Sequence, residues 1–125
     1  MPIVWGKGSR AHIDQLHPEL QRLLELCAAE MDASFDISIV CSFRGEAEQN
    51  AAFMAGKSEK RWPESGHNKQ PSRAFDFCCA GVPKAEAWVR EHMLQRQGII
   101  RNIAARHGIK LKKIILWDLP HVELA

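Results

Sequence analysis

The sequence predicts an α+β fold in which helices flank a small antiparallel sheet. Stretches whose apolar residues recur every three or four positions alternate along the chain with stretches whose apolar residues recur every second position. The resulting order is helix, strand, helix, strand, helix, strand. At 125 residues, with 46% hydrophobic and 26% charged residues, the chain is long enough for one domain with its own core. We therefore expect a single domain over residues 1–125.

The first half of the chain contains three of these elements and a long loop. A proline at the first helical position opens "PELQRLLELCAAEM", whose leucines share one helical face. "FDISIVCS" has the alternation of a half-buried strand, and "GEAEQNAAFMAGK" predicts a short helix that ends at Gly56. Residues 57–73 have no apolar period and are rich in Lys, Ser, Pro and Gly, so we expect a surface loop. Loops of this length are often functional.

The second half contains the remaining elements. "RAFDFCCA" predicts a strand with Asp76 on one face and the two phenylalanines on the other, which turns a single acid toward the interior or a cleft. A helical pattern covers residues 83–107, with a bend or break at Gly98 and an end at Gly108. "IILWDLPHVELA" closes the chain and predicts a third, interrupted strand.

Composition excludes several classes of protein. A net charge of +2 and a pI near 8.4 are too mild to indicate nucleic-acid binding. No stretch approaches the roughly 20 apolar residues of a membrane span, and the N-terminus has no signal-peptide core, so we expect a protein made in the cytosol. The cysteines lack C-x-x-C spacing and are interpreted as buried, reduced thiols: Cys27, Cys41, Cys78 and Cys79.

Two histidines and two aspartates are the candidates for chemistry. His67 lies in the polar loop, Asp76 in the second strand, and Asp118 and His121 near the C-terminus. Taken singly, a surface histidine or a hydrogen-bonded acid is the simpler interpretation. Together, two histidine nitrogens and one carboxylate oxygen form a three-ligand zinc site with a fourth position for water, although manganese or cobalt also suits these ligands. A second carboxylate can take a proton from water whose pKa zinc lowers to about 7.

The order of these motifs resembles a known family. "SGHNKQPSRAFDF" followed by "WDLPHVEL" is similar to the zinc peptidases of the D-Ala-D-Ala carboxypeptidase and phage L-alanyl-D-glutamate endopeptidase group, with patterns S-x-H, A-x-D and D/E-x-P-H-x-E. "CSFRGEAEQ" and "LHPELQRLLELC" resemble its arginine–glutamine pattern and first helix. The resemblance implies a Hedgehog/DD-peptidase-like fold, zinc ligands His67, Asp76 and His121, and Asp118 as general base.

The resemblance also implies roles for residues around the metal. Arg44 would hold a substrate carboxylate or stabilise the negative charge of the tetrahedral intermediate, and Gln49 and Ser65 would contact substrate. Independently of the resemblance, Glu123 lies two residues after His121, on the same face if the strand continues, and so could orient His121.

Simpler interpretations stay open for several of these residues. Arg44 could pair with a neighbouring glutamate at the surface, Ser65 could cap a turn, and Glu123 could be an exposed acid. Of the tryptophans, Trp62 is the better candidate for a substrate groove, and we expect Trp117 to pack in the core.

The function implied by the resemblance is hydrolysis of the peptidoglycan stem peptide by a phage or prophage endolysin that cleaves the L-alanyl-D-glutamate bond. A D-Ala-D-Ala carboxypeptidase or dipeptidase and a non-catalytic, zinc-containing wall-binding module are the alternatives. The long interval between His67 and Asp76 resembles phage lysis enzymes and favours the endopeptidase. A Gly- and Trp-rich segment that usually precedes the last motif is missing, which leaves the substrate register open.

The same resemblance sets expectations for partners and location. We expect a monomer that acts on the stem peptide and neither binds nucleic acid nor inserts into membranes. It would be made in the host cytoplasm without a signal peptide, and would reach the wall through a pore or as part of a virion.

Overall fold

A computed structural model describes residues 2–125. Its strands form one antiparallel sheet in the order β1-β2-β3, and the first and last of its α-helices pack against this sheet. The α+β class with a small antiparallel sheet is therefore confirmed. The helices and strands, in chain order, are α1 (Lys7–Ile13), α2 (Pro18–Glu30), β1 (Ile37–Cys41), α3 (Glu46–Met54), β2 (Ala74–Cys79), α4 (Arg90–Arg106) and β3 (His121–Glu123).

The hydrophobic core lies between the helices and one face of the sheet. Phe75 and Phe77 of β2 are fully buried there, together with the leucines of α2 and Ile100 of α4. Helix α4 packs against β2 and α2, and α1 packs against β1. Each such buried side chain stabilises the fold by roughly 1.5–3 kcal/mol. The opposite face of β2 is left for Asp76, as the alternation predicted.

Two helices differ from their predictions. Helix α1 was not predicted, because "KGSRAHI" has little apolar period and begins after a glycine. Helix α4 begins only at Arg90, since Lys84–Glu86 form a 3₁₀ turn and residues 87–88 a further turn, and it continues through Gly98 without a break. The predicted end at Gly108 is confirmed, and this glycine has the positive φ, 71°, that favours glycine after a helix.

The third strand is shorter than predicted. Only His121–Glu123 pairs with β2, whereas residues 114–120 form turns. The prediction failed because an apolar run need not face the core: Leu116 and Trp117 are 59% and 62% exposed. The expected core position of Trp117 is therefore wrong.

The prediction of buried, reduced cysteines is confirmed in part. All four thiols are free, but only Cys27 and Cys79 are buried, while Cys41 and Cys78 are half-buried.

Within residues 2–125, no helix is both long and apolar enough to cross a bilayer.

Candidate metal centre

Strand pairing places three polar side chains in one row across the sheet. Asp76 of β2 lies opposite His121 of β3 and, on its other side, opposite Cys41 of β1. An irregularity in β1 between Ile39 and Cys41 sets the latter pairing. Directly opposed residues of antiparallel strands share a face, so these three side chains are neighbours.

A capped turn in the long loop carries the fourth residue, His67. The 3₁₀ turn Gly66–Asn68 begins after Ser65, whose hydroxyl accepts a hydrogen bond from the His67 N–H at 3.2 Å. In return, the Ser65 N–H donates to the Asn68 side-chain oxygen at 3.0 Å. The Arg44 N–H donates to the His67 carbonyl at 2.7 Å. These bonds fix His67 beside the sheet, and Ser65 acts as the cap of the turn.

The ligand atoms of His67, Asp76 and His121 form a nearly equilateral triangle. His67 Nε2 lies 3.2 Å from His121 Nδ1, and Asp76 Oδ1 lies 3.3 Å from each of these nitrogens. Zinc bonds of about 2.0–2.1 Å in tetrahedral geometry place neighbouring ligand atoms about 3.3–3.4 Å apart. The spacing of the three atoms therefore matches one face of a zinc tetrahedron.

Hydrogen bonds on the far side of each ring leave these nitrogens without protons when the rings are neutral. His67 Nδ1 donates to the Ser42 carbonyl at 2.8 Å, and His121 Nε2 donates to Glu123 Oε1 at 2.8 Å. The atoms that face each other are then lone pairs. Asp76 Oδ1 is buried and accepts no well-aligned hydrogen bond from any described residue. Three converging acceptors without a donor fit a cation, so the residues present suit a zinc ion.

The pKa values of His67, His121 and Asp76 also show that this site favours a positive charge. Burial acts to lower the pKa of His67, but Asp76 and Cys41 outweigh it and raise that pKa to about 10. Burial also acts to lower the pKa of His121, but Asp76 and Glu123 outweigh it and raise that pKa. Burial acts to raise the pKa of Asp76, yet the two imidazoles hold it below its usual range. Protons and a metal ion therefore compete for this site.

Glu123 and Gly66 support His121 from behind. Glu123 is buried and its second oxygen lies 2.7 Å from Lys112 Nζ, so it is not the exposed acid of the simpler interpretation. Burial acts to raise the pKa of Glu123, but His121 and Lys112 lower it to about 2. A Cβ on Gly66 would lie 2.6 Å from the Glu123 carboxyl carbon. Only glycine leaves room for this carboxylate.

Arg44 and Gln49 form a second layer on the other side of Asp76. Arg44 Nη2 lies 3.6 Å from Asp76 Oδ2, and Arg44 Nη1 donates to Gln49 Oε1 at 3.1 Å. The arginine thus pairs with Asp76 rather than with a neighbouring glutamate. Gln49 is fully buried, and its amide nitrogen donates to the Lys60 carbonyl at 2.6 Å. This geometry does not support the predicted contact between Gln49 and substrate, because the amide is already bonded; it favours a positioning role.

Cys41 is a neighbour of the centre that the sequence analysis did not predict. Cys41, His67 and Asp76 each offer a ligand atom within 4.8 Å of the others, so this set is a second candidate. The thiol, however, lies 3.8 Å from His67 Nδ1, the nitrogen that donates to Ser42. We therefore favour the set that contains His121. Burial acts to raise the pKa of the Cys41 thiol, but His67 outweighs it and lowers that pKa. Register alone, with Cys41 opposite Asp76, could have revealed this contact.

Comparison with known proteins finds a solved structure with a similar fold. No protein-family model matches the chain, and no curated protein matches it. Among solved structures, the crystal structure of the Serratia marcescens L-Ala D-Glu endopeptidase ChiX matches with a TM-score of 0.78 and 23% sequence identity. The match covers 99% of this chain and 91% of that chain. The chain has the fold of this endopeptidase.

A cavity opens beside the triangle in this fold. Asp118, Arg44 and Ser65 line it together with residues 57–60 and Trp117. Burial raises the pKa of Asp118, and the negative charge of Asp76 raises it further. An acid with increased proton affinity therefore lies next to the candidate ligands.

Both tryptophans differ from their predictions. Trp117 lines the cavity, whereas Trp62 does not belong to the described residues that line it. Trp62 instead makes an edge-to-face contact with Phe43, with ring centroids 6.5 Å apart. The prediction of Trp62 as a groove residue is not supported by this packing.

Proposed function

We propose that this chain is a zinc-dependent peptidase that hydrolyses the L-alanyl-D-glutamate bond in the stem peptide of bacterial peptidoglycan. The observation that carries the proposal is the triangle of His67 Nε2, Asp76 Oδ1 and His121 Nδ1, with edges of 3.2–3.3 Å, beside a cavity that contains a free acid. The fold, shared with an L-Ala D-Glu endopeptidase, supports the same chemistry and bond.

His67, Asp76 and His121 would hold the metal ion, and zinc in such a site supplies Lewis-acid activation of water and of a carbonyl group. Asp118 accepts a proton from the attacking water and delivers it to the nitrogen of the leaving amine. Burial and the negative charge of Asp76 raise the pKa of Asp118, and this increased proton affinity makes the carboxylate a stronger base toward the attacking water. A carboxylate at its ordinary pKa is a weaker base.

Arg44 is one of three cationic side chains that line the cavity, together with Lys57 and Lys60, and it is the one that lies beside Asp76. Gln49 accepts a hydrogen bond from Arg44 Nη1, while Arg44 Nη2 lies 3.6 Å from Asp76 Oδ2 and 3.5 Å from the Cys41 sulfur. We assign Arg44 to a carboxylate of the stem peptide or to the negative charge of the tetrahedral intermediate. Gln49 positions Arg44, Ser65 positions His67, and Glu123 positions His121.

Mass spectrometry of purified peptidoglycan after incubation with zinc-loaded protein tests the proposal. A new free amine on D-glutamate, absent with Asp118→Asn, is the expected result. Release of terminal D-alanine would instead assign a carboxypeptidase. If zinc is bound and no new terminus appears, the chain is a wall-binding module and the proposed activity is wrong.

The biological setting is part of the same proposal. The resemblance of the His67 to Asp76 interval to phage lysis enzymes supports an endolysin, or a wall-cutting part of a virion, that acts as a monomeric single domain. Expression in a bacterial host with and without a pore-forming phage protein tests this. Lysis only when the pore is present is expected, and lysis independent of it would contradict release through a pore.

A further inference from the structure

An exposed aromatic surface adjoins the candidate metal centre. Trp88 and Trp117 are 57% and 62% exposed, and Leu116 beside Trp117 in the sequence is 59% exposed. Together with Arg90 and Pro120 they line one shallow depression, which we call the aromatic surface. Single exposed apolar side chains are ordinary, but two indoles and a leucine in one depression are typical of a binding surface.

The aromatic surface continues directly into the cavity. Trp117 lines both, and the residue that follows it, Asp118, is the proposed base. Arg90 at the start of α4 donates from Nη1 to the Leu116 carbonyl at 3.3 Å. This bond ties the segment that carries Trp117 to the helix beside Trp88. Because Trp117 lines both, the aromatic surface and the cavity are neighbours, and a ligand on the surface lies next to the cavity.

We propose that the aromatic surface binds the glycan strand of peptidoglycan, through its N-acetylated amino sugars, while the attached stem peptide enters the cavity. This inference rests on the proposed function, because it takes the substrate to be a peptide covalently joined to a sugar. In that polymer L-alanine is the residue bonded to the lactyl group of the sugar. An extended residue spans at most about 3.6 Å, so a sugar must lie close to the atom being cleaved.

The chemistry of the aromatic surface suits a sugar. Pyranose rings present an apolar face of C–H groups that packs on a flat indole, and an indole N–H or a guanidinium N–H donates to hydroxyl and acetamido oxygens. Arg90 keeps donors beyond its bond to Leu116. A surface of this kind combines area with polar contacts at its rim, as ligand sites generally do.

Kinetics on two soluble substrates test the proposal. We compare Trp88→Ala with the wild-type protein on a free stem peptide and on the same peptide attached to its disaccharide. Trp88 is the chosen position because it lines the aromatic surface and not the cavity. The variant is expected to lower kcat/KM on the disaccharide-peptide by roughly two- to tenfold through KM, and to leave the free peptide unchanged. Equal effects on both substrates, or no effect, would overturn the proposal.

A matched control and a binding measurement complete the test. Met54→Ala alters a side chain that is 80% exposed and lies on neither surface, and it is expected to change neither substrate. Tryptophan fluorescence titrated with an N-acetylglucosamine oligomer should saturate for wild-type protein and weaken at least twofold in Trp88→Ala.

The titration also separates the two proposals. If neither soluble substrate is cleaved but the oligomer binds through Trp88, the proposed activity fails and the glycan surface stands. If wild-type fluorescence shows no saturable change with the oligomer, the glycan proposal is overturned. Undiminished pelleting of Trp88→Ala with purified cell walls would likewise overturn it and assign the surface to another partner, such as a protein.

Discussion

Asp76 and His121 face each other across the β2–β3 pair, with Asp76 Oδ1 and His121 Nδ1 3.3 Å apart. The register of the sheet therefore builds two corners of the candidate metal centre before the loop supplies His67. A slip of one residue in β2 would turn Asp76 into the core and Phe75 or Phe77 out of it. The burial of these phenylalanines thus also fixes the position of the acid.

Asp118 and His121 are expected to separate activity from metal binding. Asp118→Asn should retain zinc and lose roughly 10²–10⁴-fold in kcat, since the amide cannot accept the proton. His121→Ala should lose zinc and activity together. Metal analysis of both variants, alongside peptidoglycan digestion, measures this. Near-normal turnover in Asp118→Asn would remove that residue from its proposed role.

Gly66→Ala is expected to weaken zinc binding without touching a ligand. The added methyl would displace the Glu123 carboxylate, which holds His121 Nε2 at 2.8 Å and Lys112 Nζ at 2.7 Å. Loss of such an outer hydrogen bond typically lowers metal affinity about 10- to 100-fold. Competition with a chelator of known affinity measures the change.

Two comparisons make the glycine experiment specific. Gly98→Ala is the matched control, because nothing lies within 4 Å of its added carbon in α4; it should raise the free energy of unfolding by about 0.5–1 kcal/mol and leave zinc affinity unchanged. Glu123→Ala combined with Gly66→Ala should be no worse than Glu123→Ala alone. Additive losses in the double variant would mean that Gly66 acts by another route.

Zinc affinity is expected to rise with pH. The pKa of His67 is raised to about 10 and that of His121 is raised as well, so zinc must displace a proton below these values. Each displaced proton gives about a tenfold gain in affinity per pH unit, and therefore roughly 100-fold between about pH 6 and pH 8 for His67 alone. Calorimetry in buffers of different ionisation enthalpy counts the released protons. An affinity independent of pH would contradict the assignment.

Arg96 is expected to stabilise the fold without affecting the metal. Its buried guanidinium donates to the carbonyls of Asp36 at 3.0 Å, Ala80 at 2.9 Å and Ser34 at 3.3 Å. Arg96→Met leaves these oxygens without that donor and should lower the free energy of unfolding by about 3 kcal/mol. Denaturant unfolding of the metal-free protein measures it, with unchanged zinc stoichiometry as the control. A loss below about 1 kcal/mol would mean that water replaces the guanidinium.

Much of the candidate centre was predictable because its positions follow from local patterns. Alternation in "RAFDFCCA" placed Asp76 opposite the buried phenylalanines, and the structure has it there. Helix α2 begins at Pro18, as its proline and spaced leucines indicated. The proposed joint role of His67, Asp76 and His121 came from the order of motifs, which resembles that of a known family. Strand pairing brings Asp76 and His121 together, and the capped turn of the loop brings His67 to them; spacing along the chain shows neither.

The features that were missed depend on long-range packing. Trp117 was expected in the core because its segment is apolar, yet it is exposed beside the cavity. The hydrogen bond from the Gln49 amide to the Lys60 carbonyl, in the loop after α3, was not predicted either; the contact of Gln49 with substrate stays a prediction. The contact between Cys41 and His67 requires the register of β1. Composition reports hydrophobicity, whereas burial is set by elements distant in sequence.

Diffraction from crystals of the zinc-loaded protein, with an anomalous difference map at the zinc absorption edge, tests the central claim most directly. We expect one strong peak within about 2.0–2.2 Å of His67 Nε2, Asp76 Oδ1 and His121 Nδ1, with the Cys41 sulfur outside bonding distance. A peak bonded to Cys41 in place of His121, or no peak at the triangle, would contradict it.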